Sequence, residues 1–315
     1  MINIKYSMPE DINKLIQLQQ KYTEKYPDYI IRGKDVFSSH PVFQEGKNII
    51  CVYSDSKLTG FASVFPEIRN EKKTEEVVSN KIWFDIIVNP EASEKEKIKK
   101  LLLEEVKKRA LNLKEFTPDR IELAVCKFSS ELSCIRFYKN NGFKHKETNL
   151  LMLRSLSKKS ETLKFSGNEK NNLKIKLCQL KSAEWKEKYL NARNSAFKNS
   201  SVDMVDLNWF LAGMQEGSAL IALHKGKVIG GGFIYLVDKD IGVIEDVFTI
   251  PQWRRKGIAT KIIRYALGYA KSIKLSGIEL EVLKKNKKAV NLYKNLGFKV
   301  IKEEIELTKG IKNNK

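Results

Sequence analysis

Histidine and cysteine are scarce in this sequence, and their scarcity sets its first limits. The three histidines (His40, His145, His224) stand singly, so neither a structural zinc nor another metal site is expected. The four cysteines (Cys51, Cys126, Cys134, Cys178) lie far apart except for one pair with seven residues between, a spacing that builds neither a disulfide framework nor a C-x-x-C site. No window approaches the roughly 18 unbroken apolar residues of a membrane-spanning helix. The opening stretch MINIKYSMPED lacks the layout of a signal peptide, so the expectation is a cytoplasmic protein with no membrane partner. Acidic residues are also short: 38 Asp and Glu face 58 Lys and Arg, a net charge of +20.

Such an excess would serve a nucleic-acid partner, steer a polyanionic small ligand, or reflect composition alone. Lysine is spread along nearly every segment, and no zinc finger, basic helix or aromatic-plus-basic motif concentrates it. The compositional reading is preferred, and nucleic acid is not the expected partner. An apolar content of 42% is that of a folded chain, and 315 residues suit two domains.

The chain is written twice. IELAVCKFSSELSCIRFYKNNGFKHKE (Ile121–Glu147) parallels IELEVLKKNKKAVNLYKNLGFKVIKEE (Ile278–Glu304), each a strand-like run followed by a helix ending in Tyr-Lys-Asn-x-Gly-Phe-Lys. Upstream, FDIIVNPEASEKEKIKKLLLEEV matches EDVFTIPQWRRKGIATKIIRYAL, with Asp85 opposite Asp246 and Pro90 opposite Pro251. The polar stretch 157–172 reads as a linker between a domain at 1–156 and a domain at 173–315. In the second copy, strands flank a turn at Lys225 and Gly226, and Gly230 to Gly232 inside a strand pattern predict a bulge or close backbone approach. Helices are predicted from about Ala259 to Lys271 and from about Lys287 to Leu296, with a strand between them and another after Phe298. Mixed strands and helices of this order imply an α/β (α+β) fold, a mixed central sheet flanked by helices.

Between the strand GVIEDVFTI and the helix that follows stand Arg254, Arg255, Lys256 and Gly257. The first turn of such a helix offers unpaired N–H groups and the positive end of its dipole. A glycine lets the chain approach a ligand closely, and the cations add charge, so the expected ligand is an anion, a diphosphate first of all.

The order strand, Arg-x-x-Gly-x-Ala (Arg254, Gly257, Ala259), helix, strand, Asn286, then Ala289-x-x-x-Tyr293-x-x-x-Gly297-Phe298 resembles the GNAT superfamily of acyl-CoA-dependent N-acyltransferases. The resemblance covers the second half closely and the first more loosely, so the fold implied is two tandem GNAT-like domains. The pairing of two such domains with one intact cofactor loop is similar in architecture and length to that of mycothiol synthase. By that resemblance the backbone of Arg254, Arg255, Lys256, Gly257, Ile258, Ala259 and Thr260 would hold the pyrophosphate of acetyl-CoA. The strand at Val247, Phe248 and Thr249 would pair with the pantetheine amides and polarise the thioester carbonyl. Asn286 would touch the pantetheine arm, and Tyr293 would protonate the departing thiolate. The lysines 284, 285, 287 and 288 would lend phosphate contacts or stand solvated. An alkylammonium acceptor must lose a proton before it attacks, and Glu245 and Asp246 are the candidate bases. Regular alternation along a strand would turn only one of them into the cleft, and Glu245 is preferred.

At the equivalent loop the first copy reads NPEASEKEKIKK. Glu91, Glu94 and Glu96 replace the basic glycine turn, and Ser93 with Glu96 has the spacing of a capping box. Carboxylates at that terminus would repel a diphosphate, so this domain is expected to shape the acceptor cleft or to stabilise the pair. The function implied is acetyl transfer to a primary amine of a small molecule or an amino terminus. Transfer of another acyl group, and a basic binding module on a vestigial fold, are the alternatives. A cationic acceptor would need acids such as Asp203, Asp206 and Glu216 along the cleft, and Trp209 and Phe210 would serve as pocket walls or core. The sequence names neither the acceptor nor the oligomeric state.

Overall fold

The computed structural model describes residues 2–6, 11–39, 41–43, 47–67, 80–113, 121–156, 168–169, 173–198, 217–236 and 240–311. They divide into two compact units, Met1–Thr148 with Lys302–Lys315, and Asn149–Ile301. Of the expected linker at 157–172, only 168–169 lies within the described residues, and Asp203, Asp206, Trp209, Phe210 and Glu216 lie outside them. No helix among the described residues is long and apolar enough to cross a membrane.

The sheet of the first unit runs β1 (Ile2–Tyr6), β2 (Ile49–Ser54), β3 (Lys57–Glu67), β4 (Asn80–Val88), β5 (Ile121–Phe128) and β13 (Lys299–Ile311). Its one parallel pair is β4 with β5, in register from Asn80↔Ile121 to Trp83↔Ala124, after which the two strands part. Helices α1 (Ile12–Lys25), α2 (Lys34–Ser39), α3 (Lys95–Asn112) and α4 (Leu132–Asn140) belong to this unit. Helix α3 buries Ile98, Leu102, Leu103, Val106 and Ala110, the stripe of an amphipathic helix. These side chains join Phe61, Val64 and Ile87 in one core.

In the second unit the order is β6 (Lys144–Ser155), β12 (Gly277–Leu283), β11 (Ile241–Thr249), β10 (Lys227–Leu236), β9 (Ser218–His224), β8 (Leu173–Cys178) and β7 (Asn168–Glu169). Helix α5 (Ala183–Phe197) covers one face, where Tyr189 and Ala196 meet Ala219, Ile221, Phe233 and Phe248. On the other face α6 (Ile258–Ser272) and α7 (Lys287–Asn295) pack Ile262, Ile263, Leu267 and Tyr293 against Leu220, Ile234, Ile244 and Leu280. Alternate residues of β9 and β10 divide between the two faces, as a regular strand requires.

The terminal strands are exchanged relative to the repeat. Strand β6 follows α4 in the first copy, yet Asn149 to Ser155 pair with β12 of the second unit. Strand β13 follows α7 in the second copy, yet Glu304 to Ile311 pair with β5 of the first unit. Leu307 from that strand is fully buried in the first core. The division at 157–172 is linear and does not describe this exchange.

Candidate active site

Strand β11 begins beside β12, in parallel register from Ile241↔Gly277 to Val243↔Glu279, and the ladder stops there. Both strands continue, so a gap opens between them whose β11 side carries main-chain groups without a ladder partner. On the opposite edge of β11 the register with β10 shifts: Gly231 faces Phe248 while Phe233 faces Glu245. Asp246 and Val247 therefore stand opposite the single residue Gly232, a β-bulge, and Asp246 takes a left-handed backbone at φ 55°. The glycine run earns its place here. A Cβ on Gly231 would lie 2.8 Å from the Phe248 ring and 2.9 Å from Tyr189.

The bulge resets the alternation of side chains. Ile244 and Val247 pack with the α6 face, whereas Phe248 packs with the α5 face. Glu245 and Asp246 both look toward the α5 side, contrary to the expectation that only one of two neighbours would. Their environments differ. The Asp246 carboxylate takes Arg193 Nε on both oxygens, at 2.8 and 2.9 Å, and the Tyr189 hydroxyl at 3.1 Å. Burial raises its pKa above the ordinary aspartate value, and Arg193 only partly offsets this. Glu245 is half-buried and accepts a 2.6 Å hydrogen bond from the Tyr235 hydroxyl. Asp246 is committed to structure; Glu245 has one neutral partner.

The far end of β11 leads through Pro251–Trp253 into the basic turn. Arg255 (φ 60°) and Gly257 (φ 73°) both adopt left-handed backbone, and Gly257 is the N-cap of α6 with no side-chain cap. Nothing lies within 4 Å of where a Gly257 Cβ would stand. The first N–H groups of α6 thus face a cleft of about 260 Å³ lined by Thr249, Arg254, Gly257, Ala259, Thr260 and Leu292. Thr249 Oγ1 is buried there with no hydrogen-bond partner among the described residues. An uncapped helix start, a buried hydroxyl without a partner and an open glycine fit a diphosphate-bearing ligand such as coenzyme A. Arg254 lines the same cleft, and its Nη2 donates to Ala196 O at 2.6 Å, which ties the turn to α5. Lys256 lies 4.8 Å above the Trp253 ring.

Tyr293 sits on α7, 8% exposed, edge-on to Phe298, with no side-chain hydrogen bond among the described residues. Burial pushes its hydroxyl up to about 12, so it is protonated at neutral pH. Asn286 is the N-cap of α7, its Oδ1 accepting from Ala289 N at 3.2 Å. Lysines 284, 285, 287 and 288 are exposed beside it.

The first unit answers differently at each position. No bulge interrupts β4, where Asp85 pairs in register with Ser63. Asp85 accepts from Lys127 Nζ of β5 at 2.8 Å and from Arg32 at 3.1 Å, and Lys127 also meets Glu131 at 3.3 Å. Burial opposes ionisation of Asp85, yet Lys127 and Arg32 hold its carboxyl below the ordinary range. A buried ion pair therefore crosses the space between the parted strands. Tyr138, opposite Tyr293 in the repeat, is 1% exposed and enclosed by Phe84, Phe137 and Phe143. The expected capping box does not form: α3 starts after Glu94, which makes no side-chain cap, and Glu94 and Glu96 pair with Lys97 and Lys99 instead.

Arg193, Tyr189, Tyr235 and Lys127 were not among the residues expected from the sequence. One signal existed for Arg193. It shares the stripe of Tyr189 and Ala196 at helical spacing, and an arginine on a buried stripe needs a carboxylate partner.

Two mixed sheets whose central parallel strands part beside a helix start define the class of fold, that of the GNAT acetyltransferases. The chain is similar over 99% of its length to a GCN5-related N-acetyltransferase from Sphaerobacter thermophilus (TM-score 0.77, 16% identity, 96% of that chain). It is also similar over its full length to a tandem GNAT protein from the clavulanic acid biosynthesis pathway (TM-score 0.69, 11% identity, 100% of that chain). Residues 178–298 match the model of the Acetyltransferase (GNAT) family. By sequence, the chain is 40% identical over 81 residues to the thialysine N-epsilon-acetyltransferase of Mus musculus, 24% of this chain and 47% of that one. It thus spans about half the length of that relative. Residues 178–298 thus carry the sequence likeness to the GNAT acetyltransferase family, and the chain shares the GNAT fold along its whole length.

Proposed function

We propose that the second unit transfers an acetyl group from acetyl-CoA to a primary amine. The observation that carries this reading is the gap between β11 and β12, which runs from Glu245 to an uncapped glycine turn. The main-chain N–H groups of Gly257 to Thr260 bind the diphosphate, with Arg255 and Lys256 adding charge. Val247 to Thr249 present main-chain groups to the pantetheine arm, and one N–H polarises the thioester carbonyl. Glu245 takes a proton from the ammonium of the acceptor, directly or through water, and the free amine attacks. Tyr293 delivers its proton to the sulfur as the carbon–sulfur bond breaks, and the second proton shed by the acylated nitrogen replaces it. The mouse relative is named for acetylating a nitrogen, which favours an amine over other acceptors. The first unit, with its gap bridged by Lys127 and Asp85, has a structural role.

The test is thiol release from acetyl-CoA against a panel of primary amines, wild type beside Tyr293→Phe. General-acid loss lowers kcat by on the order of 10²-fold or more at unchanged acetyl-CoA affinity. Equal turnover by the variant would remove Tyr293 from the mechanism, and turnover of longer thioesters alone would replace acetyl by another acyl group.

A further inference from the structure

The bulge in β11 lies beside the open gap, and its backbone needs something to hold it. Left-handed backbone is unfavourable for a residue with a Cβ, yet Asp246 adopts it at φ 55°. The grip comes from α5. Arg193 Nε reaches both carboxylate oxygens, at 2.8 and 2.9 Å, and Tyr189, one turn earlier, donates at 3.1 Å. The Arg193 and Asp246 side chains are 4% and 5% exposed, so the pair works away from solvent. Packing repeats the message, because Gly231 admits the Phe248 and Tyr189 rings at contact distance directly beside the bulge.

The first unit is an internal control written by duplication. Its matched carboxylate, Asp85, also takes an arginine and a tyrosine hydroxyl, Arg32 and Tyr29 at 3.1 Å each, and in addition Lys127 of the neighbouring strand β5 at 2.8 Å across the gap. There the strand keeps its regular ladder, and the gap is bridged. In the repeat Lys127 aligns with Lys284, which is solvent-exposed. Among the described residues the carboxylate takes an arginine and a tyrosine in both units; in the first a lysine of the neighbouring strand also reaches it across the gap, and in the second the strand bulges instead.

We propose that Arg193 and Tyr189 are positioning residues for acyl transfer, holding Asp246 so that the bulged main chain of β11 faces the thioester carbonyl. This rests on the acetyl-transfer reading above. It assigns Asp246 to the same device and leaves proton removal to Glu245.

The experiment is isotope-edited infrared spectroscopy of acetyl-CoA labelled with ¹³C at the thioester carbonyl, bound to wild type, Arg193→Lys, Tyr189→Phe and Asp246→Asn. The wild type is expected to move the carbonyl stretch to lower frequency than in free acetyl-CoA. Each variant is expected to return it at least halfway, while the dissociation constant for coenzyme A stays within threefold, because the glycine turn is untouched. With the amine that the panel identifies, kcat is expected to fall at least tenfold, and the acidic limb of its pH profile to stay in place in Asp246→Asn. A full carbonyl shift in all three variants overturns the proposal, as does loss of the acidic limb in Asp246→Asn, which would make Asp246 the base. Should Arg193→Lys fail to fold, Tyr189→Phe carries the same comparison. Absence of acetyl-CoA binding by the wild type would refute the acetyl-transfer reading itself. Ligand-free hydrogen exchange at Val247 to Thr249 then shows separately whether the grip holds the bulge, and unchanged exchange in Arg193→Lys overturns that too.

Discussion

Replacing Arg193 by methionine leaves the Asp246 carboxylate in a pocket built for an ion pair. Both side chains are at least nine-tenths buried, and the pair is joined by two bonds under 3 Å. Breaking a buried pair by removing one member costs about 3–5 kcal/mol, because the remaining charge is uncompensated. The penalty depends on that charge, so it depends on pH. Asp246 already has a folded-state pKa raised by burial, and Arg193 is what restrains the rise. A raised carboxyl contributes stability below its unfolded value and loses it as pH climbs through the folded value. Removing Arg193 lifts the folded value further, so the variant loses ground with increasing pH by up to about 1.4 kcal/mol per unit. At pH 7 urea denaturation followed by tryptophan fluorescence should give the full cost. At pH 4, where the carboxyl is largely protonated in the variant, the difference should shrink to about 1 kcal/mol, the worth of lost neutral hydrogen bonding. A cost that is the same at both pH values would refute the reasoning, since it would arise from packing rather than from charge.

Three further outcomes follow from the same geometry. Truncation after Ile301 removes the residues of β13 that complete the first sheet, including the fully buried Leu307, and should unfold the first unit while the second persists. Trp83 in the first unit and Trp185 in the second, probed in single-tryptophan variants, report on the two separately. Tyr293 loses a folded-state advantage as pH rises from about 10 to about 12, and the raised value alone is worth about 3 kcal/mol of alkaline destabilisation that Tyr293→Phe should abolish. Gly231→Val drives a side chain into the Phe248 and Tyr189 rings and should cost about 1–3 kcal/mol in chemical denaturation, with larger losses in acetyl transfer.

Much of the second unit was legible because its signals are local. The Lys225–Gly226 turn carries positive φ at both residues, the kind of turn a Lys-Gly step between two strand patterns predicts. Helix α6 spans Ile258–Ser272 around the stripe that Ile262, Ile263, Ala266 and Leu267 announce. The glycine run foretold a bulge, although the bulged residues themselves are Asp246 and Val247 on the facing strand. What was not legible depends on long-range choices. Each copy ends in a strand that follows the Gly-Phe-Lys step, and either sheet can accept such a strand, so sequence periodicity does not reveal the exchange of β6 and β13. The bulge places Asp246 on the side of the sheet where Arg193, 53 residues away in the chain, meets it, and strict alternation along the strand does not anticipate that. Ser93 and Glu96 have the spacing of a cap, yet the helix begins after Glu94, and pairing with Lys97 and Lys99 takes the acids instead. The tie from the Arg254 side chain to Ala196 O on α5 is likewise a long-range contact that the local pattern does not reveal.

By the proposed function, one glycine turn, in the second unit only, holds the diphosphate of acetyl-CoA. Isothermal titration of the full chain with acetyl-CoA tests it most directly, wild type beside Gly257→Glu. The space around Gly257 is open, so the substitution adds a carboxylate and a strained φ at the helix start without a steric clash. One site per chain is expected, with a loss of affinity of at least about 100-fold, some 2.7 kcal/mol, in the variant. Two sites in the wild type, or one site that Gly257→Glu leaves intact, would contradict it.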